Sequence, residues 1–447
     1  MKLRRPATEA RRSLGPTQTH RLPRRALAPL LAVGLLLGVA CGPRPFPDTS
    51  EGIHVFNDQL VPSAMTEAQA RFAAHHYAGS QKLTRADAQR IRQYNPKFIV
   101  LHYRLGIGLG YQSSGPDCRP SGDYLQILEG DSWVREWPGE AAVRDTWFFR
   151  RAGRRVYDCD WGWYLMNPDD PGWREYWVSE VMRQMQANGN DGVFADSFSV
   201  PNYLGTYDPP LPQLDTAFEA AWAARLTRFA DYVKSRFAGR YYFIPNAGSL
   251  ITTRDPYNYA SVDGVMVEGF ALGATNSYYD PADWELQMNR VLTLASQGKI
   301  IIGQSYVATS DVQGRMFALA SYLLTKGSRS FINLEVSTEP EWFPEYEIEI
   351  GTPSQPLPSR IENLLDPTWR VYRRDYSEGV VLVNPGPGPR SFSLGRTYYR
   401  ARPQGGGVIP PEGRPLTWGV PYDPVTTITL APHEGAVLLN QGCGCGG

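Results

Sequence analysis

The sequence predicts an α/β fold, a (β/α)8 TIM barrel followed by a small C-terminal antiparallel β-sandwich. Eight short apolar runs alternate with amphipathic stretches over about 290 residues, enough for a complete barrel. These runs are continuously apolar, as expected of parallel strands covered on both faces. After residue 353 the pattern changes to short strands separated by Pro and Gly turns, which is typical of an antiparallel domain.

The barrel is predicted over residues 51–353. Its eight predicted strands are Ile53–Phe56, Phe98–Tyr103, Trp163–Met166, Gly192–Asp196, Tyr241–Pro245, Gly264–Glu268, Ile300–Tyr306 and Ser330–Leu334. Predicted helices between them are Glu67–Ala74, Arg85–Gln93, Trp173–Ala187, Trp284–Ser296 and Val312–Thr325. A further helix is predicted after the fourth strand, because Phe218, Trp222, Leu226, Phe229 and Val233 fall on one helical face. A doubly wound sheet is the alternative, but its Gly-rich phosphate loop is missing after the first strand.

Two further regions follow from the pattern. Residues 104–160 interrupt the alternation with Gly, Pro and many aromatic residues, and an insertion after a barrel strand is expected at the C-terminal mouth. Residues 365–440 form the predicted β-sandwich, which is either a carbohydrate-binding module or, as we favour, a cap packed on the barrel. The tail 441–447 is predicted to be disordered.

The N-terminus is typical of an export signal. A basic stretch ending at Arg25 precedes an apolar run, Ala26–Ala40, that is too short to span a bilayer. The segment Leu37–Cys41 resembles a bacterial lipobox, which predicts a signal peptide over 1–40, lipidation of Cys41 and a linker over 41–50. Cleavage after Ala40 without lipidation is the alternative. We therefore expect a cell-envelope protein that contacts the membrane only through its lipid anchor.

Charge and cysteine content limit which partners, bonds and cofactors we expect of this protein. Of 45 basic and 45 acidic residues, eight basic and one acidic lie in residues 1–40, so 37 basic and 44 acidic remain, a net charge of −7. This acidic balance argues against a nucleic-acid partner. Export makes a disulfide between Cys118 and Cys159 plausible. No metal site and no cofactor are predicted, because the histidines lack the spacing of metal ligands.

Two carboxylates end apolar strands in matching sequence frames. Asp196 closes Asp191–Asp196, and Glu268 closes Asp263–Glu268; each segment begins Asp-Gly-Val and ends on an acid. A residue at the carboxyl end of a barrel strand projects into the mouth. Two carboxylates facing each other there are the requirement for cleaving a glycosidic bond. Pairing of either acid with a nearby Arg or Lys is the structural alternative.

Three segments carry a family resemblance: Tyr94–Leu101, Asn167-Pro168 with Trp173-Arg174, and Asp191–Ser197. Together they resemble the hypothetical glycosyl hydrolase family 15, which is related to the family 114 endo-α-galactosaminidases, over roughly residues 50–340. The resemblance implies a TIM barrel in which Asp196 is the nucleophile and Glu268 the acid/base. The strand that ends at Asp196 is its strongest motif.

Further polar and aromatic residues near the predicted strand ends are candidates for binding a carbohydrate substrate. They are Asp58, His102, Tyr103, Arg104, Trp147, Asn246, Gln304, Tyr306 and Glu335, with Glu335 also a reserve acid. We expect an exported glycoside hydrolase of poly- or oligosaccharides with a retaining two-carboxylate mechanism. The alternative is a non-catalytic glycan-binding lipoprotein on the same scaffold. Oligomeric state is not predicted.

Overall fold

The computed structural model describes residues 42–110, 113–114, 118, 120–121, 126–129, 132–135, 138, 141–334, 337–414 and 417–442. The predictions for residues 1–40, for Cys41, for Glu335 and for most of the tail fall outside the described residues. Within the described part, no helix has the length and apolar character needed to cross a membrane.

Eight parallel strands form the barrel. They are β1 Val55–Gln59, β2 Tyr77–Gln81, β3 Ile99–Leu105, β4 Gly192–Asp196, β5 Tyr242–Pro245, β6 Gly264–Glu268, β7 Ile300–Gln304 and β8 Ser330–Asn333. The hydrogen-bonded order is β5-β4-β3-β2-β1-β8-β7-β6. A single bridge between Asn246 and Met266 joins β5 to β6 and completes the ring. The predicted TIM barrel is confirmed.

One predicted strand was wrong and one was missed. Trp163–Met166 is not a barrel strand, because Tyr164–Leu165 pairs antiparallel with Gly108–Leu109 outside the ring. The second barrel strand is Tyr77–Gln81, which pairs with both β1 and β3. Phe98–Tyr103, predicted as the second strand, therefore corresponds to the third. The two errors cancel, so Asp196 and Glu268 end strands four and six, as the prediction had them.

Alternate strand residues fill the barrel interior. The inward apolar residues form one cluster, comprising Phe56, Ile99, Leu101, Tyr103, Phe194, Ile244, Met266, Ile300, Ile302 and Phe331 with Phe46 below them. Since side chains along a strand alternate between faces, the residues two positions after Phe56, Phe194, Ile244, Met266, Ile302 and Phe331 also point inward. At the carboxyl ends, that next inward residue is polar on β1, β4, β5, β6, β7 and β8. An apolar floor therefore lies beneath a polar layer.

In the described part of the chain, six α-helices cover the outside: α1 Glu67–His76, α2 Arg85–Tyr94, α3 Pro171–Asn188, α4 Thr216–Phe237, α5 Pro281–Ser296 and α6 Val312–Thr325. Each begins after a Thr or Asp whose side chain accepts a backbone N–H of the first turn, namely Thr66, Thr84, Asp170, Asp215, Asp280 and Asp311. Between β5 and β6 a short 3-10 helix, Gly248–Ile251, takes the place of an α-helix.

The insertion after β3 builds part of the barrel mouth. Four short strands form one antiparallel sheet, in the order Tyr207–Asp208, Tyr157–Asp158, Tyr164–Leu165 and Gly108–Leu109. Cys118 and Cys159 are joined by a disulfide bond. Other two-stranded antiparallel sheets pair Ser113–Ser114 with Pro120–Ser121, Gln126–Glu129 with Ser132–Arg135, Arg150–Arg151 with Arg154–Arg155, Leu272–Ala274 with Ser277–Tyr278, and Glu341–Trp342 with Gly407–Val408.

The C-terminal segment is antiparallel β, as predicted, and its strands form one five-stranded sheet. In the order β9-β10-β13-β11-β12, they are β9 Tyr372–Asp375, β10 Gly379–Asn384, β13 Glu434–Leu439, β11 Arg390–Ala401 and β12 Tyr422–Leu430. Val380 and Leu382 lie in the sheet's own core, whereas Val381 and Val383 belong to the large cluster shared with the barrel helices. Both faces of β10 are therefore buried, and the sheet packs on the barrel.

Candidate active site

Asp196 and Glu268 meet at the mouth through one amide. The Asn246 side-chain nitrogen donates a hydrogen bond to Asp196 Oδ1 at 2.9 Å and another to Glu268 Oε2 at 2.6 Å. Asn246 follows β5 directly, between the strands that end in the two acids. Three neighbouring strands therefore bring their last inward side chains into contact.

This shared donor limits the separation of the two acids. The two oxygens that accept from Asn246 can be no farther apart than the sum of the two distances, 5.5 Å. Carboxyl groups about 5–5.5 Å apart are typical of retaining glycosidases, and inverting enzymes need about 6.5–9.5 Å to admit a water molecule. The Asn246-bound oxygens of the two acids are therefore closer together than the separation that inverting enzymes use.

Electrostatics differentiate the two carboxyls. Burial, the charge of Asp196 and the charge of Asp58 raise the pKa of Glu268 to about 7, against the opposing effects of the Asn246 hydrogen bond and the Lys82 charge. Asp196 instead accepts hydrogen bonds from three donors: the Asn246 amide, the Tyr103 hydroxyl at 2.8 Å and the Ser197 backbone N–H at 2.7 Å. Such donors stabilise a carboxylate as the anion. Glu268, whose pKa is raised, is thus suited to carry a proton.

A buried ion pair lies beside the acids. Lys82, directly after β2, contacts Asp58 of β1 at 3.0 Å, and Gln81 donates a further hydrogen bond to the same carboxylate. Burial lowers the pKa of Lys82, but the charges of Asp58, Asp196 and Glu268 and the hydrogen bond to Asp58 outweigh it and raise the pKa overall. Lys82 therefore contributes a fixed positive charge to an acidic site.

Two phenols complete the surroundings of the acids. The Lys82 ammonium lies over the Tyr103 ring, 5.2 Å from the ring centre. The Tyr103 hydroxyl donates a hydrogen bond to Asp196. Tyr306 lines the same cavity as Glu268, and desolvation together with the Glu268 charge raises the pKa of this phenol. The Tyr306 hydroxyl is therefore protonated at neutral pH.

The two acids, Asn246, Tyr103 and Tyr306 line one cavity of about 710 Å³. Its lining residues come from the strand ends and from the loops beyond them: Tyr103, Trp161, Trp163, Asp196, Ser197, Ser199, Tyr203, Leu204, Asn246, Gly248, Ser249, Ile251, Thr252, Glu268, Asp283 and Tyr306. A cavity of this size is in the range that encloses a ligand of several rings.

Several residues predicted to bind substrate lie elsewhere. His102 is buried on the outer face of β3, where its ring nitrogen is 2.8 Å from Gln184 on α3. Arg104 is buried on that same outer face, one residue from the inward Tyr103. Trp147 is buried against Trp173 and Tyr176. These side chains are not part of the cavity lining given above.

The remaining candidates lie at or below the mouth. Asp58 forms an ion pair with Lys82, and its charge contributes to the raised pKa of Glu268. Gln304 is fully buried and accepts a hydrogen bond from Asn333 at 2.9 Å, so it supports the polar layer from beneath. Tyr103, Asn246 and Tyr306 line the cavity. Glu335 lies outside the described residues.

Sequence reasoning missed Lys82, Trp161 and Tyr203. Lys82 was overlooked because β2 itself was not recognised, and a residue after an unrecognised strand gives no signal. Trp161 lies in a turn and Tyr203 ends a short 3-10 helix, Pro201–Tyr203, and neither segment is long enough to show a periodicity. One sequence pattern does identify which side chains point into the barrel. At the end of several strands, a large apolar residue is followed two positions later by a carboxylate or an amide, as in Phe194 and Asp196 or Met266 and Glu268.

A TIM barrel with two close carboxylates at its carboxyl-terminal mouth has the architecture of a glycoside hydrolase. Comparison with protein-family models agrees: the model of the hypothetical glycosyl hydrolase family 15 matches residues 92–380, more than half of the chain. The chain belongs to this family. The match includes Asp196, Asn246 and Glu268 but not Asp58 or Lys82.

Solved structures similar to this chain have low identity. A noncanonic maltogenic α-amylase, AmyB, from Thermotoga neapolitana is 11% identical with a TM-score of 0.39, covering 86% of this chain and 98% of its own. A Cryptosporidium parvum pyruvate kinase is 11% identical with a TM-score of 0.31, covering 66% and 65%. The fold assignment rests on the strand order above, not on these scores. The chain has no match among the curated proteins.

Proposed function

We propose that this protein is a retaining glycoside hydrolase of poly- or oligosaccharides, with Asp196 as nucleophile and Glu268 as acid/base. The observation that carries the proposal is the single Asn246 amide that donates to both carboxylates. The two oxygens bound to this amide can be no more than 5.5 Å apart, which supports a double displacement. Family membership supports the reaction class, and the raised pKa of Glu268 supports the division of roles.

The proposed reaction has two steps. First, an Asp196 oxygen attacks the anomeric carbon, the glycosidic C–O bond breaks, and the Glu268 proton passes to the departing oxygen. This leaves a glycosyl ester on Asp196 and an ionised Glu268. Second, Glu268 removes a proton from water, the water oxygen attacks the anomeric carbon, and the ester bond to Asp196 breaks. The sugar leaves with its original configuration, and Glu268 is protonated again.

We also propose that the protein acts in the cell envelope, anchored by a lipid on Cys41. The Cys118–Cys159 disulfide supports export, because such bonds persist in oxidising compartments. Cys41→Ser is expected to abolish incorporation of labelled fatty acid and to move the protein from the membrane fraction to the soluble fraction. Continued membrane retention of this variant would contradict the anchor.

Activity on a glycan panel tests the reaction. The panel contains α- and β-linked poly- and oligosaccharides, and the variants are Asp196→Asn, Glu268→Gln and, as a control, Glu349→Gln, an exposed acid distant in sequence from the strand ends. We expect wild type and control to cleave the same substrate, and both site variants to lose about 10²–10⁴-fold in kcat.

Two results would contradict the proposal. Hydrolysis that survives Asp196→Asn would remove the assigned nucleophile. Glycan binding by the wild type without any cleavage would favour the alternative, a non-catalytic glycan-binding protein that retains the barrel.

A further inference from the structure

Exposed aromatic side chains are concentrated at the candidate active site. In the part of the chain that the structure describes, five large apolar side chains are exposed, and three of them line the 710 Å³ cavity: Trp161 at 61%, Tyr306 at 37% and Tyr203 at 36%. An exposed indole forgoes the free energy that its burial would provide. Clustering of exposed aromatic residues around one cavity therefore marks a ligand surface.

Trp161 is held in a fixed orientation although it is exposed. Its indole N–H donates to the Leu204 carbonyl at 2.7 Å, and its backbone N–H donates to Asp158 Oδ1 at 2.8 Å. Two residues earlier, Cys159 is bonded to Cys118. The ring face is thus positioned before any ligand arrives, which reduces the ordering cost of binding.

The loop that carries Tyr203 is connected to the Trp161 loop. The Cys159 N–H donates to the Thr206 carbonyl at 2.7 Å, and the Thr206 N–H donates to Asp160 Oδ2 at 2.7 Å. Tyr203 itself contacts Glu219 of α4 through its hydroxyl at 3.3 Å. The two aromatic residues therefore belong to one connected surface at the rim, beyond the strand ends that carry the acids.

We propose that Trp161 and Tyr203 form an aromatic subsite for a sugar unit other than the one attacked by Asp196. This inference rests on the proposed function and specifies its substrate as a chain of several sugars. Flat aromatic faces suit the apolar C–H faces of sugar rings, and the cavity is larger than one ring requires. The subsite contributes affinity for the chain without taking part in bond cleavage.

The test uses the full chain with Trp161→Ala, Trp161→Phe and Leu214→Ala. Leu214 is 78% exposed and is not among the cavity-lining residues, so it controls for loss of an exposed apolar side chain. Kinetics are measured on a single-sugar aryl glycoside and on oligosaccharides of increasing length, cut from a glycan that the wild type cleaves or, failing cleavage, binds.

For Trp161→Ala we expect a KM about tenfold higher on the longer chains, with KM on the aryl glycoside within about twofold of wild type. Trp161→Phe retains most of the chain affinity because it keeps an aromatic face, and Leu214→Ala behaves as wild type. An equal loss on all substrates would show a role in folding or catalysis and overturn the subsite. No change at any chain length would also overturn it.

Equilibrium binding separates this proposal from the proposed function. Oligosaccharide binding to wild type and Trp161→Ala is measured by calorimetry. If wild type binds but cleaves nothing, and Trp161→Ala weakens binding, the subsite is supported and the hydrolase proposal fails. If wild type cleaves, and Trp161→Ala binds equally well, the subsite fails and the hydrolase proposal stands. Absence of both binding and cleavage by wild type overturns both.

Discussion

At the scale of single residues, Asn246 gives the site its chemical character. A side-chain amide supplies donors without adding charge, so it can hold two carboxylates together while their mutual repulsion still acts. Burial and that repulsion raise the pKa of Glu268, while Asp196 accepts hydrogen bonds from three donors. A carboxyl group with a raised pKa is what a two-carboxylate mechanism needs as its proton donor at neutral pH.

The charges around Glu268 make a pH prediction with a defined sign. Glu268 is faced by Asp196 of β4, Asn246 after β5, Asp58 of β1, Lys82 after β2 and Tyr306 after β7. In its proposed role as proton donor it must be protonated, so kcat/KM is expected to fall as pH rises through about 7.

Two variants are expected to move this fall of kcat/KM at high pH, the basic limb of the pH profile, in opposite directions. Lys82→Met removes a positive charge that stabilises the Glu268 carboxylate, so the limb moves up by about 1 pH unit. Asp58→Asn removes a negative charge that destabilises it, so the limb moves down. The measurement is the pH dependence of kcat/KM for wild type and both variants. Shifts in the same direction would show that the limb does not belong to Glu268.

A site residue can be predicted from the sequence only where the sequence shows which side chains of its strand point into the barrel. Asp196 and Glu268 were found because each ends an apolar strand and is the only charged residue near its end. His102 and Arg104 were chosen with Tyr103 because β3 is apolar on both sides up to that point, so its sequence alone does not show which of the three points inward. The pairing of β3 with β4 resolves this in favour of Tyr103.

At the scale of elements, β2 shows why one strand escaped prediction. Its sequence, Tyr-Ala-Gly-Ser-Gln, is small and polar, and α1 runs into it without an intervening turn. The small residues have a reason in packing: a Cβ on Gly79 would lie 2.5 Å from the Ile99 carbonyl oxygen and 2.6 Å from the Phe56 ring. Conversely, Trp163–Met166 has the apolar character of a barrel strand but pairs within the insertion, and only tertiary contacts distinguish the two cases.

Close packing of β13 on α6 predicts a cost for adding one methyl group. A Cβ on Gly435 would lie 2.5 Å from both the Met316 carbonyl oxygen and the Ala320 side chain. We expect Gly435→Ala to reduce the free energy of unfolding by about 1–3 kcal/mol, because helix and sheet must separate slightly. Denaturant unfolding of this variant measures the effect.

Gly388→Ala is the matched control, because an added Cβ at that turn meets nothing within 4 Å. It is expected to unfold like wild type. Equal stability of Gly435→Ala and Gly388→Ala would contradict the close contact between the sheet and the barrel.

At the scale of the whole molecule, a buried ion pair links the barrel to the following segment. Arg315 of α6 and Glu345 are both fully buried, with Arg315 Nε 2.7 Å from Glu345 Oε1. Arg315 also donates to the Gly405 carbonyl at 3.0 Å, in the chain between β11 and β12. The pair therefore lies where the barrel helix, the segment after the barrel and the C-terminal sheet domain meet.

Removing one partner of this pair is expected to cost more than removing both. Arg315→Met leaves a buried carboxylate without its cation, which costs about 3–5 kcal/mol in the free energy of unfolding. The double variant Arg315→Met with Glu345→Leu removes both charges and should recover part of that loss. Urea unfolding of the two variants measures the difference. A double variant at least as unstable as the single one would contradict this account.

The stereochemistry of the first product tests the central claim most directly. With a substrate found in the glycan panel, the anomeric proton of the newly released sugar is followed by NMR during the first minutes, before mutarotation mixes the anomers. The proposed double displacement returns the sugar in the configuration of the substrate, and the Asn246-bound oxygens of the two acids, at most 5.5 Å apart, support that expectation. An inverted product would contradict the double displacement through Asp196.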